Sequence, residues 1–139
     1  MKISLKDRLC MPERAYATSA GLDLKAAHGY ILYPCESVTM DTGIHVAIPE
    51  GHVGLVFSRS GMGKIKVTLS NSVGVIDAEY RGPIKLMLIN HGDTVLHINQ
   101  YDRIGQLVIT PIITPELEIV DNLDETERGH GGFGSTGIQ

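Results

Sequence analysis

The stretch RGHGGFGSTG near the C-terminus places chemically useful residue types among glycines. Gly129, Gly131 and Gly134 have the G-x-G-x-x-G spacing that surrounds a pyrophosphate in other proteins. That fingerprint needs a helix after it, and too few residues follow Gly134 to form one. Phe133 lies between glycines, and an aromatic ring on such a backbone suits stacking on a planar ligand such as a base.

Polar groups in the same stretch suit a phosphate. Arg128 has a guanidinium fork, Ser135 and Thr136 carry hydroxyls, and the glycine N–H groups are free to converge on an anion. The stretch is therefore either a phosphate-binding lid or a disordered glycine-rich tail.

A second reactive candidate lies in NSVGVIDAEYRGPIKL, where Asp77 directly follows Val75 and Ile76. Two β-branched runs meet at DAEYRGP, which predicts a hairpin. A carboxylate at the end of a buried strand is either a turn cap or a reactive group. Tyr80, three residues further on, would place its ring beside whatever Asp77 faces.

Three shorter stretches add polar groups beside apolar ones. Arg59, Ser60 and Gly61 offer a cation, a hydroxyl and a flexible backbone N–H, which suit either a phosphate or a solvated turn. Gln106 lies in an otherwise apolar strand, where a buried amide needs hydrogen-bond partners. Asp23 repeats that theme between two leucines.

The rest of the chain is β-rich, with 25 Val and Ile residues against 13 Leu. Apolar residues alternate with period two, which predicts short strands separated by turns. We therefore expect an all-β fold, a sandwich, jelly roll or small barrel, with at most a short helix. The clearest runs are Ile44, Val46 and Ile48; Val53, Leu55 and Phe57; Ile65, Val67 and Leu69; and Ile84, Leu86 and Leu88.

The last thirty residues differ in composition. Pro111 and Pro115 favour an extended backbone. Residues 110–127, fully drawn out, would span roughly 60 Å at about 3.3 Å each, enough to reach a neighbouring molecule. We therefore expect one domain, in which residues 1–110 form a β-rich nucleotide-binding part and residues 111–139 form an extended arm and a glycine-rich lid.

Composition limits the other functions. The net charge of -4 argues against direct nucleic-acid binding but leaves room for a small anion held by local cations. No stretch approaches the ~20 apolar residues that span a bilayer, and the N-terminus has no signal-peptide pattern. We expect a cytoplasmic protein, in the host cytoplasm if it is viral, with Cys10 and Cys35 as free thiols. The six histidines have no zinc-ligand spacing.

These stretches, in this order, resemble the five motifs of the homotrimeric dUTPase family, enzymes that hydrolyse dUTP to dUMP and pyrophosphate. AGLDLKAA resembles the first motif, SRSG the second, NSVGVIDAEYRG the third, DRIGQL the fourth and RGHGGFGSTG the fifth, over residues 20–137. The resemblance implies a distorted jelly-roll domain of the dUTPase type with an extended C-terminal arm. Three positions differ from the usual family residues: Ser58 replaces Pro, Gly105 replaces the frequent Ala, and Pro83 follows the motif glycine.

The resemblance implies a role for each matching residue. Asp77 would be the general base that activates water for attack on the α-phosphorus, and Tyr80 would pack on the deoxyribose and exclude a 2′-hydroxyl. Asp23 would bond to water molecules of a Mg²⁺ ion that the triphosphate coordinates. Asn71 and the backbone around Val75 and Ile76 would form a hairpin that reads the base, with Lys85 on its returning strand.

The remaining roles concern the phosphates and the lid. Arg59, Ser60 and Gly61 would hold phosphate oxygens, with Gln106 beside them. The lid would come from a neighbouring subunit of a homotrimer whose active sites are shared between subunits. In it, Phe133 would stack on uracil. The lid residues that would hold the nucleotide are Arg128, Phe133, Gly134, Ser135 and Thr136.

The implied activity would limit uracil incorporation into DNA and supply dUMP for thymidylate synthesis. Three alternatives remain open at the level of sequence. A dCTP deaminase shares the β-rich fold and a similar nucleotide, a regulatory protein would bind the nucleotide with little turnover, and a structural β trimer would need no site.

Overall fold

The computed structural model describes residues 1–132 and residue 135. Within these residues the chain forms eleven short strands, a five-residue helix and one 3₁₀ turn at Arg8–Cys10. The all-β prediction, with at most a short helix, is confirmed. The elements are β1 Lys2–Leu5, β2 Leu22–Lys25, β3 Tyr30–Leu32, β4 Ser37–Asp41, β5 Ile44–Ala47, β6 His52–Phe57, α1 Ser60–Lys64, β7 Val67–Leu69, β8 Gly74–Ile76, β9 Lys85–Asn90, β10 Leu96–Ile98 and β11 Arg103–Pro111.

The strands form four antiparallel sheets around one core. The largest sheet has the order β2-β11-β6-β8, a second has the order β4-β9-β7, and β1-β5 and β3-β10 are two-stranded. Alternation on β9 shows how the core fills: Leu86 and Leu88 are buried, whereas Lys85 and Met87 point to solvent. The largest fully buried apolar side chains are Leu24, Leu32, Met40, Ile44, Ile84, Leu86, Leu88, Ile104 and Leu107.

The central strand β6 lies between β11 and β8, two strands that carry or adjoin candidate site residues. On one side it pairs with β11, where Phe57 lies opposite Gln106, and on the other side it pairs with β8, where Gly54 lies opposite Ile76. The two pairings place Gln106 beside the C-terminal end of β6 and the end of β8 beside its N-terminal end.

The predicted hairpin around DAEYRGP is wrong. The two runs belong to different sheets, because β8 pairs with β6 while β9 lies between β4 and β7. Residues 77–84 therefore cross from one sheet to the other. Ile84 is fully buried and its N–H donates to the carbonyl of Ile44 at 2.9 Å, which anchors the end of this crossing segment.

Two local predictions also need correction. Ser60 and Gly61, for which a solvated turn was one alternative, lie in helix α1 instead. The strand that follows begins only at Val67, and Ile65 is 48% exposed instead of continuing the alternating face. Cys10 and Cys35 are free thiols, as expected, with Cys10 buried and Cys35 exposed.

The arm begins on the body of the chain and then leaves it. The N–H of Ile112 donates to the carbonyl of Gly51 at 2.9 Å. Beyond that bond, the side chains of Ile113, Leu117 and Ile119 are at least 90% exposed. An apolar series of this kind is costly to leave in water.

Across the described part of the chain, no helix is long and apolar enough to cross a membrane.

Candidate active site

A cluster of charges lies at the C-terminal end of β6 and is centred on Asp23 of β2. Asp23 is 9% exposed, and its Oδ1 accepts from Nε of Arg59 at 2.9 Å. Its Oδ2 accepts from Nη2 of Arg59 at 3.1 Å and from Nη1 of Arg103 at 3.2 Å. One buried carboxylate therefore orients a bidentate guanidinium and holds a second one beside it.

Strand register explains why these three residues meet. Asp23 lies opposite Gln106 in the β2–β11 pair, and the register shifts between Arg103 and Gly105. A shift of this kind re-aims side chains, and here it accompanies the contact of Arg103 with Asp23. Sequence reasoning missed Arg103, because Arg103 is 80 positions away from Asp23 along the chain and only the pairing of the strands brings the two together.

Gln106 holds the segment that leads to Arg59. Its Nε2 donates to the carbonyl of Ser58 at 3.1 Å. The glycine at position 21 makes room for this amide, because a Cβ there would overlap Oε1 of Gln106. Gln106 therefore finds the hydrogen-bond partner that its apolar surroundings required.

Ser60 and Gly61 open helix α1 on the exposed side of this cluster. A Cβ on Gly61 would meet no heavy atom within 4 Å, and Gly61 does not have a positive φ. The fold itself therefore does not require glycine at this position. A backbone that carries no side chain here leaves space for close approach by a ligand.

The second part of the site lies at the other end of β6. A cavity of about 200 Å³ brings together four of the residues that the third motif singled out, together with Lys85. Asp77 and Tyr80 also line an adjoining cavity of about 870 Å³, beside His52 and Ile112. The residues that line the smaller cavity are Val75, Ile76, Asp77, Tyr80, Pro83 and Lys85.

Asp77 is exposed at the point where β8 ends. The following turn is closed by its backbone, since the Asp77 carbonyl accepts from the N–H of Tyr80 at 3.1 Å. Val75 is 63% exposed, so β8 is not the buried strand that the sequence suggested. It is an edge strand of the described sheet, paired on one side only. The carboxylate of Asp77 thus stands in solvent beside an edge of unpaired backbone groups.

Asn71 and the described lid residues, Arg128 and Ser135, do not join these groups. Asn71 is exposed in the connection between β7 and β8, where its carbonyl accepts from the N–H of Val73 at 2.7 Å, and it does not line the small cavity. Arg128 bonds within its own turn, with Nε donating to the carbonyl of Gly131 at 2.8 Å, and Ser135 is exposed. The predicted positions Phe133, Gly134 and Thr136 lie outside the described residues.

The two parts of the site are separate within one chain. Asp77 follows the residue opposite Gly54, and Arg59 lies five positions after Gly54 along the same strand direction. At about 3.3 Å per residue, the two groups are roughly 15–20 Å apart. A single copy therefore does not bring the Asp77 carboxylate to the Arg59 guanidinium.

The charged groups do not by themselves form a metal centre. The carboxylate of Asp23 already accepts three guanidinium N–H bonds, which is a poor arrangement for a direct Mg²⁺ ligand. Among residues 1–132 and 135, no group of three or more His, Cys, Asp or Glu side chains is placed to hold a metal ion. Glu13 forms a backbone β-bridge with Asp23, and its carboxylate forms an ion pair with Lys25. This ion pair holds the pKa of the Glu13 carboxyl below its ordinary value.

Two arginines held by a buried carboxylate at one end of a strand, and an exposed carboxylate beside a small cavity at the other end, are residue types that suit cleavage of a phosphate anhydride. The family model for dUTPase matches residues 7–137, and the chain belongs to the dUTPase family.

Named relatives and solved structures agree with this membership. The deoxyuridine 5′-triphosphate nucleotidohydrolase of Escherichia phage T5 is 42% identical and matches 99% of this chain and 98% of its own length. The mouse enzyme of the same name is also 42% identical, over 97% of this chain and 83% of its own length. The dUTPase of Staphylococcus bacteriophage 80alpha, solved with dUpNHpp, has a TM-score of 0.86 and 32% identity over 99% of this chain and 98% of that one. These similarities do not favour a deaminase or a purely regulatory protein.

Proposed function

We propose that this chain hydrolyses dUTP to dUMP and pyrophosphate, with the two ends of β6 supplying different parts of each site. Family membership and the names of the relatives support the activity. The observation that carries the mechanism is the exposed carboxylate of Asp77, beside Tyr80 and the small cavity at the end of an edge strand. The product dUMP serves thymidylate synthesis, and removal of dUTP limits uracil incorporation into DNA.

Asp77 acts as the general base. Its carboxylate takes a proton from a water molecule, the water oxygen bonds to the α-phosphorus, and the bond from that phosphorus to the bridging oxygen of the β-phosphate breaks. Pyrophosphate leaves with the bonding electrons. A positioned base contributes a factor of ~10²–10⁴, so charge stabilisation and positioning must supply most of the acceleration.

The edge of β8 reads the base. An unpaired strand edge offers alternating N–H and C=O groups, and those around Val75 and Ile76 match the donor and acceptor groups of uracil. Cytosine exchanges a donor for an acceptor, so polar groups would remain unmatched, which discriminates by ~10⁴ or more. Lys85 lies in the same cavity, and Tyr80 packs on the deoxyribose.

The cluster around Asp23 receives the phosphates. Asp23 holds Nε and Nη2 of Arg59, and Nη1 makes a long contact of 3.5 Å with the carbonyl of Arg103. The remaining guanidinium hydrogens and the exposed residues Ser60 and Gly61 face phosphate oxygens, and Gln106 braces the segment before them. Bound to the triphosphate, Mg²⁺ would supply positive charge that favours departure of pyrophosphate. Asp23 would bond to water molecules of that ion rather than coordinate it directly.

A homotrimer with shared sites is the assembly that we propose. The separation of roughly 15–20 Å between Asp77 and Arg59 along β6 supports contributions from different copies to one site. The exposed apolar residues of the arm support a seat for it on a neighbouring copy. The end of that arm then covers a site to which two other copies contribute. The lid residues that it donates are Arg128, Phe133, Gly134, Ser135 and Thr136.

The test is pyrophosphate release from dUTP, dCTP, dTTP and UTP with Mg²⁺, for the wild type, Asp77→Asn and a matched Asp93→Asn control. Asp93 is an exposed carboxylate in a loop away from both cavities. We expect rapid release from dUTP alone, a loss of ~10²–10⁴ in kcat for Asp77→Asn, and no change for the control. Binding of dUTP by the wild type without release would overturn the proposal, as would release of ammonia from dCTP.

A further inference from the structure

The segment after Asp77 holds the ring of Tyr80 against the backbone. The hydroxyl of Tyr80 donates to the carbonyl of Pro83 at 3.1 Å. A Cβ on Gly82 would overlap the hydroxyl oxygen and Cζ of Tyr80 and would lie 2.8 Å from its Cε2. The edge of the ring therefore occupies the space where any other residue at position 82 would carry its side chain.

The backbone at Gly82 has no conformational need for glycine. Gly82 is not among the glycines with positive φ, which in the described chain are Gly43, Gly51 and Gly129. Its requirement is for space alone, and the group that takes the space is the Tyr80 ring. Gly82 differs in this respect from turn glycines such as Gly51. The φ of 72° at Gly51 disfavours any other residue, even though there is space for a side chain.

Residues 81–83 form a bracket around the Tyr80 ring, and contacts on both sides of Gly82 anchor it. Arg81 donates through Nη1 to the carbonyls of Ala78 at 2.6 Å and Tyr80 at 2.8 Å, and its own carbonyl bonds to Nδ1 of His45 at 2.9 Å. Pro83 has a fixed φ and is followed by Ile84, which is buried and bonded to β5. The carbonyl that accepts from Tyr80 therefore belongs to a rigid frame, while the ring itself remains 42% exposed and lines both cavities.

We infer that Gly82 and Pro83 are specificity-determining positioning residues, which fix the plane of the Tyr80 ring and so set the discrimination between deoxyribose and ribose. The inference rests on the proposed function, in which Tyr80 packs on the sugar. One edge of the ring lies on the bracket, so the remainder faces the cavity. A 2′-hydroxyl is refused only while the ring cannot retreat, and the bracket removes the space for retreat.

The first test is Gly82→Ala, which forces the ring to move by on the order of 1 Å to restore ordinary contact. We expect kcat/KM for dUTP to fall about 10- to 100-fold and that for UTP to change less than about threefold, so the dUTP-to-UTP ratio falls at least about threefold. Gly63→Ala is the matched control, because a Cβ on Gly63 meets nothing within 4 Å and its φ is not positive. Its ratio should equal that of the wild type.

A second variant needs no added volume, so it tests the inference even if Gly82→Ala does not fold. Tyr80→Phe keeps the ring and removes its bond to Pro83, and we expect the dUTP-to-UTP ratio to fall about three- to tenfold. In a Tyr80→Ala background, Gly82→Ala should cost nothing further, because the ring that it displaces is gone.

The outcomes separate this inference from the proposed function. The wild type could be active and prefer dUTP while the dUTP-to-UTP ratio stays unchanged in both Gly82→Ala and Tyr80→Phe. That result would overturn the role of Gly82 and Pro83 and leave the proposed function intact. An equal loss for dUTP and UTP would also overturn it, since that pattern indicates general damage. A wild type that releases no pyrophosphate from dUTP overturns the proposed function before sugar discrimination is measured.

Discussion

The two aspartates at opposite ends of β6 occupy contrasting surroundings. Asp23 is buried and accepts three guanidinium N–H bonds, and its own backbone pairs with that of Glu13, which covers the outer edge of β2. Asp77 is exposed, and the outer edge of β8 has no partner strand among the described residues. The same side chain therefore serves as a fixed counter-ion where an edge is covered and is available to react where an edge is open.

The largest effect should come from mixing two variant chains, each altered at a different end of β6. Asp77→Asn and Arg59→Gln chains, each inactive alone, should regain about one quarter of wild-type activity after joint refolding, since each contributed end is intact in half of the cases. The measurement is pyrophosphate release from dUTP by the mixture. A chain that carries both substitutions, refolded with Asp77→Asn, is the control and should stay inactive. A mixture that remains inactive would show that both ends act within one copy.

A stability comparison separates the two carboxylates. Asp23→Asn leaves two guanidinium groups facing each other without their counter-charge, and we expect a loss of about 2–3 kcal/mol in the free energy of unfolding. Asp77→Asn should change it by less than about 0.5 kcal/mol, as exposed substitutions usually do. Urea unfolding of both variants measures the difference. Equal stabilities would contradict the view that only one of the two aspartates is structural.

The packing between the two ends of β6 can be tested at Gly105 of β11. A Cβ there would overlap Cδ2 of Leu86 and lie 3.1 Å from the carbonyl oxygen of Phe57, so Leu86 fills the place that a methyl group would take. We expect Gly105→Ala to cost about 1–2 kcal/mol, measured by urea unfolding. Adding Leu86→Val should recover part of that loss. If the single variant is neutral, the packing of β9 on β11 is looser than described.

The smallest effect lies outside both ends, at Glu36. The hydroxyl of Tyr30 and the N–H of Tyr33 donate to this carboxylate and hold the pKa of Glu36 below its ordinary value of 4.5. This stabilisation is present above that ordinary value and is lost as the pH falls through the lowered pKa of the folded state. The gap in stability between the wild type and Glu36→Gln should therefore shrink from pH 7 to pH 3, in urea midpoints. Glu116→Gln, in the exposed arm, should show no such gap at any pH.

Local pattern was sufficient to predict several of the strands but not their partners. Alternation identified β5, β6 and β9, because one face of each strand meets the core. The hairpin after Asp77 was wrong because two adjacent β-branched runs look alike whether they pair with each other or with distant strands. The pairings of β8 with β6 and of β9 with β4 and β7 decide the matter, and the bond from Ile84 to Ile44 of β5 spans forty positions of sequence.

The sequence predicted a candidate site as a set of residue types, and it did not predict how those residues are arranged. The residue types within each short stretch indicated a chemical role, so Asp77, Tyr80 and Arg59 could be singled out. The covering of Asp23 by Arg103, and the space that Tyr80 takes from Gly82, both depend on register or ring placement. Sequence spacing contains no information on either.

Strand β11 has a mechanical consequence. It pairs with β2 and β6 on its two sides, and its C-terminal end continues directly into the arm. Tension on the arm would act along the strand axis and load the hydrogen bonds to both neighbours in shear, so that they resist together rather than break one at a time. A chain held by its arm should therefore tolerate a strong pull before it unravels.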